Sequence, residues 1–226
     1  MRVAWLISIL LLVAGCSSST DGEAERITPI PPNSSRPSSS TTTPSTKAPT
    51  KPPDPGAPVA EVTAWIEAGK TVDAAQYHVA MREGVTTDLG EDVAFVTPSG
   101  KTNCMTDSKY SGGALACLVE LTDPPPRPAA AYGEWKGGWV DFDGTTVDVG
   151  SVHGDPGRFT AGTGPQLPYG QAIGFGDYQC RVDPVGLYCA NRAHNTAVRF
   201  SDAGIEPFGC LQRVTAPPDI GEKFSC

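Results

Sequence analysis

Residues 180–189 read Cys-Arg-Val-Asp-Pro-Val-Gly-Leu-Tyr-Cys. Asp183-Pro184-Val185-Gly186 has β-turn chemistry: Pro presets φ at the second position and Gly ends the turn at the fourth. Folding the chain back around it sets Val182 opposite Leu187, Arg181 opposite Tyr188 and Cys180 opposite Cys189. A disulfide is within reach there if the two cysteines occupy a close, non-hydrogen-bonded pair. The stretch predicts an antiparallel hairpin closed by a Cys180–Cys189 bond.

The same texture extends on both sides of it. Strands are expected at Val93–Thr97, Lys101–Thr106, Ala114–Glu120, Trp139–Phe142, Thr145–Val149, Gln171–Phe175, Tyr178–Val182, Gly186–Asn191 and Ala197–Phe200. They are short and separated by Gly, Pro, Asp or Asn, the pattern of an antiparallel fold. Asp123 to Pro128 carries four prolines and reads as a surface loop, because proline cannot donate within a ladder. Ahead of the strands the chain looks helical. Pro58 suits a first turn. Val59, Val62 and Ile66 recur at helical spacing, and Gly69 can stop the helix. A second helix is expected over Val72 to Glu83, capped by Thr71 and closed by Gly84. Residues 59–226, with 22 glycines and 12 prolines, therefore read as one domain. It is helical over 59–84 and mainly β over 93–226: an antiparallel, disulfide-pinned α+β fold.

Of seven cysteines, six lie in that domain: Cys104, Cys117, Cys180, Cys189, Cys210 and Cys226. Fifteen pairings are open. Beyond Cys180–Cys189, Cys104 and Cys117 could close a longer hairpin over Lys109 to Gly113, leaving Cys210–Cys226 to pin the C-terminal tail. Zinc sites favour CxxC or tight His/Cys clusters, and neither occurs, so no metal or other cofactor is expected.

The seventh cysteine has its own context. The chain opens MRVAWLISILLLVAGCSSS. Arg2 precedes an apolar run, Val3 to Val13, too short to span a bilayer but right for the core of a signal peptide. It ends Val13-Ala14-Gly15-Cys16, small residues before a cysteine, as a lipoprotein signal peptidase requires. Residues 1–15 are expected to be removed and Cys16 to carry diacylglycerol, usually with a further acyl chain such as palmitate. That would hold the protein on the extracytoplasmic face of the cell membrane.

Residues 16–58 then form a lipidated terminus and stalk. Of the 31 residues from Thr28 to Pro58, 22 are Pro, Ser or Thr, with no apolar periodicity to order them. Such a stalk spans about 35 Å as coil and about 120 Å stretched. Ser/Thr beside Pro suits O-glycosylation.

The net charge of −8, or −9 once Arg2 is cleaved off, disfavours nucleic acid as a partner. Candidate chemistry is sparse. Ser99 or Ser151 with His153 and Asp155 sketches a hydrolase, but no G-x-S-x-G elbow is present, and His153 to Gly157 reads as a tight turn with a solvated imidazole. His78 and His194 complete the histidines. Cysteine catalysis needs a free thiol, and the even count leaves none. Asp141, Asp143 and Asp148 surround a glycine turn without the EF-hand pattern and read as a hairpin turn rather than a calcium loop. Tyr132, Trp135, Trp139 and Phe142 cluster between glycines and could line a binding face for sugar or peptide.

Several segments resemble a family of small cysteine-rich exported proteins and lipoproteins of actinobacteria, mycobacteria included. The matching pieces are Phe95-Val-Thr-Pro-Ser-Gly100 with Cys104 behind it, Leu167-Pro-Tyr-Gly170, Gly174-Phe-Gly-Asp-Tyr-Gln-Cys180 and Gly186-Leu-Tyr-Cys-Ala-Asn191. They cover about residues 95–200. The resemblance implies a disulfide-pinned β domain and carries no catalytic residue across. The chain departs from the pattern in its leading segment 59–84, in its cysteine-closed tail after 204, and in lacking the family's glycines near 195–198.

The leading functional expectation is a non-enzymatic, membrane-anchored envelope domain that binds an envelope protein or wall polymer. An envelope hydrolase would need a polar cleft with His153 or His194 beside a Ser or Asp. A carrier of an apolar ligand would need a large cavity inside the sheet.

Overall fold

A computed structural model describes residues 49–153 and 157–226. The signal segment, Cys16, most of the stalk and Asp155 lie outside these residues.

Helix α1 (Val59–Glu67) follows Pro58 and buries Val62, Trp65 and Ile66. Fifteen strands follow: β1 (Lys70–Thr71), β2 (Val79–Arg82), β3 (Val85–Asp88), β4 (Ala94–Val96), β5 (Thr102–Thr106), β6 (Leu115–Val119), β7 (Trp135–Phe142), β8 (Thr146–Val152), β9 (Gln171–Phe175), β10 (Tyr178–Asp183), β11 (Gly186–Asn191), β12 (Thr196–Ser201), β13 (Gly204–Phe208), β14 (Gln212–Val214) and β15 (Glu222–Ser225). They build a six-stranded sheet in the order β1-β9-β10-β11-β12-β13, a seven-stranded sheet in the order β14-β15-β8-β7-β6-β5-β4, and the separate hairpin β2-β3. The domain is mainly β with a short N-terminal helix and three disulfides.

One core joins the two large sheets. Phe95, Leu115, Val140, Phe142 and Val147 come from one, Ile173, Val182, Leu187, Val198 and Phe200 from the other, and all are fully buried. Alternation along each strand produces this: Val140 and Phe142 face the partner sheet, while Trp139 points to the outer face. Each outer face has its own cover. Trp65 and its neighbours on α1 pack on Tyr188, Ala190, Ala197 and Phe208. Ala80 of β2 and Phe159 pack over Trp139, Met105 and Ala116.

The cysteine pairs follow from register. Cys180 lies opposite Cys189 and Cys104 opposite Cys117, with Cα–Cα separations of 4.0 and 4.1 Å. Both bonds sit in the common core, one in each sheet. The third joins Cys210 to Cys226.

Two sequence expectations are corrected. The helical segment does not reach residue 84. Residues 72–83 hold a single 3-10 turn, Ala74–Tyr77, capped by Asp73, and then β2. Glu83 and Gly84 take φ of 52° and 82° and form the two-residue turn joining β2 to β3. Two left-handed residues in succession match the twist of a hairpin, so Gly84 reverses a strand rather than ending a helix. The stalk, read as running to residue 58, ends earlier. Asp54-Pro55-Gly56-Ala57 closes a turn with Ala57 N donating to Asp54 O, Gly56 supplying the positive φ, and the Tyr188 hydroxyl donating to Pro53 O at 3.4 Å. Ala57 and Val59 pack against the helix cluster, so residues 53–58 belong to the folded domain.

Candidate functional site on the outer face of the seven-stranded sheet

Strand β7 begins at Trp135, four residues earlier than expected, and its register with β8 shifts between Lys136 and Val140. His153 follows directly on β8 and lies over the indole of Trp139. The His153 ring stacks on that indole, with centroids 3.6 Å apart and an interplanar angle of 21°. Phe159 meets the indole edge-on at 5.2 Å. Trp139 is fully buried, and its Nε1 donates to Asp141 Oδ2 at 2.9 Å. Arg158 Nη1 approaches Asp141 Oδ1 to 3.1 Å, and His153 Nε2 lies 3.9 Å from Oδ2.

The electrostatics follow from burial. Desolvation, then the nearby positive charges of Arg158 and Lys136, push the His153 imidazole down from its ordinary value to about 4. Burial raises the Asp141 carboxyl, opposed by the charge of Arg158 and the hydrogen bond from Trp139. The cluster holds a neutral imidazole against an indole near neutral pH. The reading of His153 as a solvated turn residue is therefore corrected: it is part of a packed cluster. Ser151, two residues earlier, is buried, and its hydroxyl has no hydrogen-bond partner among the described residues. A Ser151–His153 hydrogen bond is not among the described contacts. Arg158 was not legible as a member of this cluster, because nothing local marks it.

The four aromatics expected to form one binding face are separated. Phe142 lies in the core between the sheets and Trp139 on the opposite side of the same strand. Trp135 packs over Gly150, where an added Cβ would meet its ring at 2.7 Å. Tyr132 is 95% exposed. Alternation along β7 forbids a common face for 139 and 142.

Other candidate residues have local roles. The Ser99 hydroxyl lies 3.1 Å from that of Thr97 and accepts from Lys101 N within the β4–β5 turn. His194 Nδ1 lies 3.0 Å from Asn191 Oδ1. His78 Nδ1 lies 2.8 Å from the carbonyl of Asp92. The three aspartates of the glycine turn part company. Asp141 joins the Trp139 cluster, and Asp148 pairs with Lys223 at 2.6 Å. Asp143 accepts from the amides and hydroxyls of Thr145 and Thr146; burial pushes its carboxyl up, but these bonds outweigh it and hold it low. Among the described residues, no three His, Cys, Asp or Glu side chains are grouped to hold a metal, and all six domain cysteines are bonded.

A cleft of about 550 Å³ lies elsewhere, beside the start of β10. Phe175, His78 and Tyr178 line it with the carboxylates of Glu91, Asp92 and Asp177. Phe175 stacks on Tyr178 with centroids 5.7 Å apart. The Tyr178 hydroxyl donates to Phe142 O at 2.8 Å, and burial pushes it up to about 12. Asp92 is committed to the Thr106 hydroxyl and to the amide and hydroxyl of Ser108, which leaves Glu91 and Asp177 as the exposed acids of the rim.

No protein-family model matches the chain, and no curated protein or solved structure matches it either.

Proposed function

We propose that this chain is a cell-envelope lipoprotein whose folded domain binds an envelope protein or wall polymer without transforming it. Kinship with the cysteine-rich exported proteins of actinobacteria belongs to the same proposal. The observation that carries the binding reading is the filled interior. Phe95, Leu115, Phe142, Leu167, Ile173, Leu187 and Phe200 occupy the space between the sheets with no exposed surface. A carrier of an apolar ligand would need that space, so recognition is assigned to the surface. The cleft of Phe175, Glu91 and Asp177 joins an aromatic wall to an acidic rim, chemistry suited to hydroxyl-rich or cationic groups. The anchor rests on the sequence Val13-Ala14-Gly15-Cys16.

Two measurements test the parts separately. Changing Cys16 to Ala is expected to move the protein from the membrane fraction to the soluble or unprocessed pool. Membrane retention after correct cleavage would overturn the anchor. The purified protein is then sedimented with isolated cell-wall polymer and with detergent-extracted envelope proteins. Saturable binding to one of them is expected, weakened by Glu91→Lys with Asp177→Lys, with no soluble fragments released. Fragment release that depends on His153 or Ser151 would establish a hydrolase instead.

A further inference from the structure

The three disulfides differ in access. Cys104, Cys117, Cys180 and Cys189 are fully buried in the core between the sheets. Cys210 and Cys226 are both exposed. Thiol–disulfide exchange requires the attacking thiolate to reach a sulfur, so a packed core blocks it and an exposed bond admits it. The loop closed by Cys210–Cys226 holds two strands. β14 is exposed along its length and pairs only with β15, while β15 lies between β14 and β8. β15 has holds of its own. Phe224 is buried, Glu222–Ser225 pair with Thr146–Val149, and Cys226 N donates to Thr145 O at 3.1 Å. Arg213 on β14 pairs with Glu222 on β15 at 2.9 Å and lies over the Phe224 ring.

We infer that Cys210–Cys226 is a thiol-exchange site, a surface clasp that a dithiol can open, and that the oxidised dithiol can reclose by the reverse exchange, while the domain stays folded. One thiolate of the dithiol attacks one sulfur of the bond. A mixed disulfide forms, the Cys210–Cys226 bond breaks, and its electron pair leaves on the other cysteine, which takes a proton. The second thiol of the reductant, losing its proton, attacks the mixed disulfide and leaves as a cyclic or intramolecular disulfide. The second protein thiolate takes up that proton. The net change is two protein thiols for one oxidised dithiol. The clasp opens the loop of β14 and β15, while the β8 ladder and Phe224 keep β15 in place. The inference rests on burial and topology and is independent of the proposed binding function.

The experiment is stepwise reduction of the full-length protein by dithiothreitol without denaturant, with alkylation and peptide mapping at each dose. Mapping by peptide separates these positions from Cys16. Labelling of Cys210 and Cys226 is expected about a hundredfold or more faster than of the four core cysteines. The β-rich circular dichroism should be retained throughout that first step. Equal labelling of all six, or earlier labelling of the core cysteines, would overturn the inference. A Cys210→Ser, Cys226→Ser variant gives a second reading. Its four core cysteines are expected to stay unlabelled at the dose that opens the clasp in the wild type. Their labelling at that dose would show that the domain does not stay folded without the bond, and would refute a clasp that opens on its own.

Discussion

Lowering the pH should destabilise this domain through His153, and a single substitution should isolate the effect. In the folded protein the imidazole titrates at about 4, against about 6.5 in an unfolded chain. The folded value is the lower one, so between these values the unfolded state binds the extra proton. The contribution is complete above pH 6.5 and is lost as pH falls toward 4. A full shift of this size corresponds to about 3 kcal/mol at 1.36 kcal/mol per unit. A quarter of the side chain meets solvent, 24% by area, which screens the charge and brings the expected loss at pH 4.5 to about 2 kcal/mol. The charges facing the ring are those of Arg158, Lys136 and Asp141. Asp141 acts in the opposite sense. Its folded carboxyl is raised, so its own contribution is lost as pH rises through that value and returns on acidification. His153→Phe keeps an aromatic ring on Trp139 and removes only the titration at 153, leaving the Asp141 response in place. Urea unfolding of both proteins at pH 8 and pH 4.5 gives the comparison. The wild type is expected to lose about 2 kcal/mol more than the variant over that interval. Equal losses would mean that the imidazole is not desolvated by Trp139, and the account of the cluster would fail.

Replacing both Cys180 and Cys189 by Ala should lower stability by about 2 kcal/mol while leaving a folded domain. The bond closes only a short hairpin, with a sequence separation of 9. Urea denaturation reads this directly, and complete unfolding in buffer would show that the bond does more than close a turn. Trp139→Ala should cost about 3–5 kcal/mol, because it empties a fully buried site and removes the donor to Asp141. NMR titration of the same variant should find the His153 pKa nearer 6.5, and an unchanged value would separate the shift from the stack.

The central hairpin was legible because its information is local. A turn of Asp, Pro, Val and Gly fixes the register, and the observed pairs Val182–Leu187, Arg181–Tyr188 and Cys180–Cys189 follow from it. The nine expected strands all exist, for the same reason. What failed was decided across the fold. Val72, Ala75 and Val79 recur at helical spacing, yet the two-residue turn at Glu83 and Gly84 and the bridge from Met81 to Thr163 draw that stretch into a strand. β13 was hidden by Pro207, which an edge strand tolerates. β14 and β15 bury little besides Phe224, so their residues carry no alternating signal. His153 and Arg158 join the Trp139 and Asp141 cluster from beyond the end of β8, and no local pattern in the sequence marks either of them.

The three disulfides also set how this domain would answer a pull on its two ends. Force cannot separate residues within a covalent loop, so sequence separations of 13, 9 and 16 stay closed even after every strand has let go. At about 3.5 Å per extended residue, roughly 130 Å of contour length is withheld, about a fifth of what residues 49–226 would otherwise release. Opening the terminal clasp alone would return the largest single share, about 55 Å. Reductant would thus act as a length control, adding slack at one end while the two loops stitched across the strands keep the middle of the domain short.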